Sequence, residues 1–180
     1  MQNDPLPSTG GTPPGFPPPP PHGRPRLRRP SEQLAGCVWL PRLVDKTRHH
    51  LAGTLPPDYV VPFCHPWATD GAFLTHFGIA REEWIAAVRN AADSDAAVTA
   101  WFLGRTECTA EKIQAWNTLA PDLGKPGFPL HRSFKLMLRT YYAGRVPDPR
   151  VEGVFTAIAY DEGFLDEILP RSGEVRAVCP

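Results

Sequence analysis

The sequence predicts an all-α fold: a single compact domain of about seven short helices with two longer irregular loops, preceded by a disordered proline-rich tail. Three observations carry this. Apolar residues recur at three- and four-residue spacing through most of residues 31–169. Ser, Thr or Asp precedes many of those runs, and Gly follows them. The prolines gather between and before the runs, chiefly in the first thirty residues and between Pro56 and Pro66.

The tail is assigned to residues 1–30. It holds Pro5, Pro7, Pro13, Pro14, Pro17 to Pro21, Pro25 and Pro30, a composition that favours polyproline II and cannot bury a core. It ends in the basic run Arg24-Pro-Arg-Leu-Arg-Arg29. The helical domain is assigned to 31–169, and 170–180 to a C-terminal tail.

Within the domain, Ser31 is placed as the cap of a first helix from about Glu32 to Trp39. Pro41 then breaks the chain and opens a second helix from 41 to 52, since proline is tolerated at the first helical position. Gly53 ends it. On this helix Leu40, Leu43, Val44, Thr47 and Leu51 form one stripe. Arg42, Asp45 and His49 lie opposite, with Lys46 and Arg48 at the edges. Asp45 is the sole acid among these basic and imidazole groups, so it is expected to be tied by Arg42, Lys46 or Arg48.

Thr54 to Trp67 reads as an aromatic loop packed across the helices. Its four prolines are read as forbidding a helix and leave at most an edge strand at 59–61. Asp70 is expected to cap a helix with Phe73, Leu74 and Phe77 inward, stopped by Gly78. Residues 80–92 carry Trp84, Ile85 and Val88 inward. Ser94 caps a helix with Val98, Trp101 and Phe102, and Thr109 caps one with Ile113, Trp116 and Leu119. A second loop spans 121–129. His131 to Ala143 forms a helix with Phe134, Met137, Leu138, Tyr141 and Tyr142. Asp148-Pro149 is placed as the start of a helix carrying Val151, Val154, Phe155 and Ile158, and 164–169 as a last turn.

Nineteen basic residues balance nineteen acidic ones. That removes any bulk-charge argument for nucleic acid or membrane. No apolar run approaches a membrane span of about 18 residues, and no apolar leader opens the chain. The short helices at 80–120 lack a basic recognition face, so nucleic-acid binding is not expected. Cys37, Cys64, Cys108 and Cys179 are widely spaced, which points to reduced thiols and a cytoplasmic protein. Cys64-His65 and His49-His50 match no zinc-binding spacing, and no metal, cofactor or catalytic residue is assigned. Asp161-Glu162 is a paired carboxylate at a helix end, of the kind usually solvated.

The segment Leu34 to Gly53, with Leu40-Pro-Arg-Leu-Val-Asp-Lys46 at its centre, resembles a family of small bacterial proteins known as domain of unknown function 5069. His76-Phe-Gly-Ile-Ala-Arg-Glu-Glu-Trp84, Ala115-Trp-Asn117 and Val154-Phe-Thr-Ala-Ile158 before Asp161-Glu-Gly163 look like the same family. The resemblance spans about residues 30–165 and implies no activity, cofactor or catalytic residue.

The leading functional expectation is a non-enzymatic binding or regulatory module, with an unknown protein or an anionic small molecule as partner. Its surface would be the charged face of helix 41–52 with loop 59–67, built from Arg42, Asp45, Lys46, His49, Trp39 and Trp67. The alternative is a small enzyme acting on an anionic small molecule, with Asp45 and His49 as acid and base and Arg42 and Lys46 as anion ligands. A third reading is a homo-oligomer that uses the aromatic loop as its subunit contact.

Overall fold

The computed structural model describes residues 26–145 and 147–170. It is mostly helical. A two-stranded antiparallel hairpin, β1 (Gln33–Leu34) and β2 (Cys37–Val38), precedes α1 (Leu40–Leu51), α2 (Pro57–Val60), α3 (Thr69–Phe77), α4 (Arg81–Ala91), α5 (Asp95–Leu103) and α6 (Ala110–Leu119). A 3-10 turn (Ala120–Asp122) follows, then α7 (His131–Tyr142), α8 (Val154–Asp161) and α9 (Leu165–Ile168). Among the described residues, no helix is long and apolar enough to cross a membrane.

The hairpin replaces the helix expected at 32–39. Ala35 and Gly36 both hold positive φ, 54° and 71°. This two-residue turn pairs Gln33 with Val38 and Leu34 with Cys37. Asn117 then clamps the hairpin from α6. Its Oδ1 accepts from Val38 N at 2.9 Å, and its Nδ2 donates to Gly36 O at 2.7 Å. Trp116 Nε1 donates to Val38 O at 3.0 Å. Long-range bonds from Trp116 and Asn117 thus favour a strand over local helical propensity.

Pro41 does sit at the start of α1, and the stripe beneath it is real. Leu40, Leu43, Val44 and Thr47 are buried, and Leu51 is half-buried. Thr47 belongs there because its hydroxyl is satisfied twice. It donates to Leu43 O at 2.7 Å and accepts from Trp84 Nε1 at 2.7 Å. That bond ties α1 to α4 inside the main core, which also holds Phe73, Phe77, Val98, Phe102 and Trp116.

Ser94 and Thr109 cap α5 and α6, accepting from Ala97 N at 3.1 Å and Lys112 N at 3.3 Å. Asp70 does not cap α3. Ala68 holds the cap position, and Asp70 lies in the first turn with its side chain turned into the core. Nor does Asp148-Pro149 start a helix. The Asp148 carboxylate accepts from Arg150 N at 2.9 Å and Nε at 3.0 Å, which holds a turn there, and α8 begins only at Val154. A smaller cluster, Phe134, Leu138, Tyr142, Val151, Ala157, Ala159, Phe164 and Leu165, packs α7 against α8 and α9.

The prolines of the 54–67 loop do not prevent a helical turn. Pro57 occupies the first helical position of α2, where its missing N–H costs nothing. At the far end the loop's backbone presses on α3. A Cβ on Gly71 would stand 2.2 Å from His65 O, so only glycine lets the two segments meet.

Residues 26–30, counted with the tail in the sequence reading, are packed. Leu27 is buried and Arg28 forms ion pairs with α1 and α5. The rest of the expected tail, residues 1–25, and most of the C-terminal one, 171–180 with Cys179, lie outside the described residues.

Candidate functional site

Arg42 and Lys46 stand one helical turn apart on α1 and are 1% and 4% exposed. Both reach between two aromatic rings. The Arg42 guanidinium lies 5.9 Å from the centroids of Trp39 and Tyr59, and Lys46 Nζ lies 5.9 Å and 5.8 Å from the same rings. Two cations in an aromatic cleft need carboxylates, since an unpaired buried charge is very costly. Each has one from a distant segment.

Lys46 Nζ pairs with Asp70, which is wholly buried. The other Asp70 bonds come from Trp39 Nε1 at 3.0 Å and Cys64 N at 3.3 Å. Arg42 pairs with Glu162 through both terminal nitrogens, and Nη1 also donates to Arg28 O at 3.0 Å. The Tyr59 hydroxyl donates to Glu162 at 3.0 Å. Burial, together with the neighbouring Glu162, pushes the Tyr59 phenol up to about 12, although Arg42 acts the other way. Burial, with Asp70 nearby, likewise pushes the Cys64 thiol up to about 12, an unreactive thiol at neutral pH.

Asp45 is tied, but not by a neighbour on its own helix. Arg28 reaches it from seventeen residues back, with Nη2 at 2.6 Å and the backbone N at 2.8 Å. Arg28 also pairs with Asp95, which Arg48 Nη1 contacts at 2.8 Å. The result is an alternating chain Asp45–Arg28–Asp95–Arg48. Burial works against ionised Asp95, yet the bonds from Arg28 and Arg48 outweigh it and lower its pKa. His49 Nδ1 lies 2.9 Å from Thr54 Oγ1, at the start of the loop.

Of the six residues proposed from sequence, Trp39, Arg42 and Lys46 are therefore buried. Asp45 and His49 are half-buried, and Trp67 is 46% exposed. The structure brings Trp39, Arg42 and Lys46 together and sets Asp45, His49 and Trp67 at the margin. Sequence reasoning missed Arg28, Tyr59 and Asp95, took Asp70 for a cap and took Glu162 for a solvated acid. The usable signal was arithmetic. Cations one turn apart on a core helix, with one acid nearby, require carboxylates from elsewhere.

The arrangement works as a strap. Asp70 holds Cys64, Glu162 holds Tyr59, and His50 packs at a tilt against Phe63 with centroids 4.6 Å apart. The 54–67 loop is thus fixed at several points and still displays Val60, Val61 and Trp67, exposed by 49%, 65% and 46%. His65 and Trp67 meet at a tilt with centroids 4.6 Å apart. Two open clefts, of about 430 Å³ beside Phe128 and His131 and about 150 Å³ beside Arg150 and Asp166, lie away from α1 and this loop. Among the described residues, no group of three or more His, Cys, Asp or Glu side chains is placed to hold a metal ion. Cys37, Cys64 and Cys108 are free thiols.

The family model for a domain of unknown function (DUF5069) matches residues 24–164. The chain belongs to that family. No curated protein matches the sequence. The matched span begins before Leu27 and Arg28 and reaches past Glu162, so it takes in both ends of the charge network.

Proposed function

We propose that this member of the family is a non-enzymatic binding module of the cytoplasm, whose contact surface is the loop 59–67 where it meets α1. One observation carries the reading. Val60, Val61 and Trp67 stand exposed on a loop that one buried and one half-buried ion pair hold in place. Exposed apolar groups fixed in advance lose little conformational freedom on binding, and tryptophan is a frequent anchor of protein interfaces. Arg42, Lys46 and Trp39 form the frame that sets the loop, while Asp45 and His49 lie along its edge.

The enzyme reading draws less support. Its anion ligands are already neutralised, Arg42 by Glu162 and Lys46 by Asp70. Its acid and base are engaged by Arg28 and Thr54. The two clefts described above lie elsewhere.

Native mass spectrometry of the protein purified from its own host tests the proposal. A co-purified protein at fixed stoichiometry, lost on Val61→Asp with Trp67→Ala at an unchanged melting temperature, is the expected result. A small anion or a metal that is instead lost on Asp45→Asn or His49→Ala would overturn it in favour of the enzyme. Self-association abolished by the loop variants would assign the surface to a homo-oligomer.

A further inference from the structure

A net charge of zero conceals a local asymmetry. From Leu123 to Pro147 the chain carries Lys125, Arg132, Lys135, Arg139 and Arg145 and no Asp or Glu. Lys125 is paired, at 2.8 Å from Asp122. Arg132, Lys135 and Arg139 are exposed on α7, and among the described residues none of them forms an ion pair. At 100° per residue they fall within an arc of about 60°, and Leu136, 63% exposed, flanks them. The adjoining face, Phe134, Leu138 and Tyr142, is buried against α8 and α9.

The stripe begins at a cleft. An open hollow of about 430 Å³ at the start of α7 is lined by Phe128, Leu130, His131 and Arg132, and Phe128 is 41% exposed. His131 is held there through Nδ1, 3.0 Å from Gly124 O. One apolar hollow therefore leads directly into one line of cations.

We propose that this face docks an acidic peptide segment of a partner protein. One apolar side chain enters the cleft at Phe128, and carboxylates follow along Arg132, Lys135 and Arg139. The cations are separated along the helix by about 4.5 and 6 Å, closer than the about 6.6 Å at which alternate side chains of an extended peptide recur, and the long, flexible Arg and Lys stems span the difference. A bilayer suits the face less well. An interfacial helix inserts its apolar face into lipid, and on α7 that face is already inside the fold. Single-stranded nucleic acid would call for successive stacking rings. Phe128 is the exposed ring of this cleft, and Tyr141 sits about 180° around the helix from Arg132. The inference concerns residues separate from the 59–67 loop and stands without that assignment.

Fluorescence anisotropy on the full chain tests it. The probe is a fluorescein-labelled peptide of one Phe followed by alternating Glu and Ser, with a control in which Gln replaces every Glu. The Glu peptide is expected to bind about tenfold or more tighter than the control. Arg132→Glu with Arg139→Glu should remove that preference, and Arg132→Lys with Arg139→Lys should keep it. Phe128→Ala should weaken both peptides. The neutral pair Arg132→Gln and Arg139→Gln serves if the reversed chain does not fold. Equal binding of the two peptides, no binding at millimolar peptide, or retained preference in the reversed variant would overturn the proposal. So would tighter binding, lost in the same variant, of oligo-dT, of phosphatidylserine vesicles or of a second copy of the chain.

Discussion

Helices α1 and α7 look alike on paper and live differently in the fold. Each has twelve residues, an apolar stripe and several cations on its remaining surface. On α1 those cations are satisfied from a distance. Glu162 comes from the end of α8, Asp70 from α3 and Asp95 from α5. On α7, Arg132, Lys135 and Arg139 face solvent with no such partners among the described residues. The difference teaches that a charged helical face has no fixed meaning. It becomes internal structure where the chain returns carboxylates to it, and surface where the chain does not.

The sharpest way to break that comparison is to unpair Lys46. Asp70→Ala would leave a 4%-exposed ammonium without its counter-ion and would also release Trp39 Nε1 and Cys64 N. Removing one partner of a buried pair costs roughly 3–5 kcal/mol. Lys46→Met with Asp70→Leu removes both charges and should recover a large part of the loss. Urea denaturation of the three chains decides the matter. If Asp70→Ala cost less than about 1 kcal/mol, α1 would be no more structural than α7.

The next effect concerns Arg28. Its side chain and that of Asp45 are 27% and 17% exposed, so their pair is weaker than the first. Arg28→Ala is expected to cost about 1.5–3 kcal/mol, the range for hydrogen bonds to charged groups, and Asp45→Asn somewhat less. A chain beginning at Ser31 should melt well below one beginning at Arg26, because it also loses buried Leu27. Equal melting temperatures would return residues 26–30 to the tail.

These two cases also mark how far the sequence was readable. The caps Ser94 and Thr109, the Pro41 start and the stripes of α1, α3, α4, α5 and α6 follow from local rules, and local rules suffice where a helix is satisfied by its own neighbours. The hairpin at 33–38 was misread because its decisive bonds, from Trp116 and Asn117, come from nearly eighty residues away. Asp70 was misread for the same reason. An Asp near a helix start is a reasonable cap until a buried Lys from another helix claims it. Arg28 sat within a basic, proline-flanked run whose composition gave no hint that one of its members would bind an acid on α1.

A smaller effect is expected at Tyr59, where the strap meets Glu162. Tyr59→Phe should cost about 1 kcal/mol at neutral pH, the usual worth of one hydrogen bond. The pH dependence has a definite sign. The phenol is raised from its ordinary 10.0 to about 12, with burial the largest cause. As pH rises past 10 the unfolded chain loses this proton before the folded one does. Stability contributed by Tyr59 is therefore complete below about pH 10 and is lost towards pH 12. Difference absorbance between wild type and Tyr59→Phe should show one phenolate appearing near pH 12. An onset near pH 10 would mean that the strap leaves Tyr59 open to water.

The smallest effect is expected on α7, and its smallness is the point. Arg132, Lys135 and Arg139 are exposed and make no ion pair among the described residues, so no ion pair there depends on their charge. Substitutions at such positions are usually within about 0.5 kcal/mol. Replacing the three together by Gln should stay within that range in urea and is expected to stabilise slightly, because like charges three and four residues apart repel by a few tenths of a kcal/mol. Added salt should narrow the gap between the two chains, since exposed charges are screened, whereas the cost of Asp70→Ala should hardly move with salt. Denaturation at low and high ionic strength thus reads both helices in one experiment. A loss above about 1 kcal/mol in the α7 variant, unchanged by salt, would show that these cations have internal partners after all, and the contrast between the two helices would fall with it.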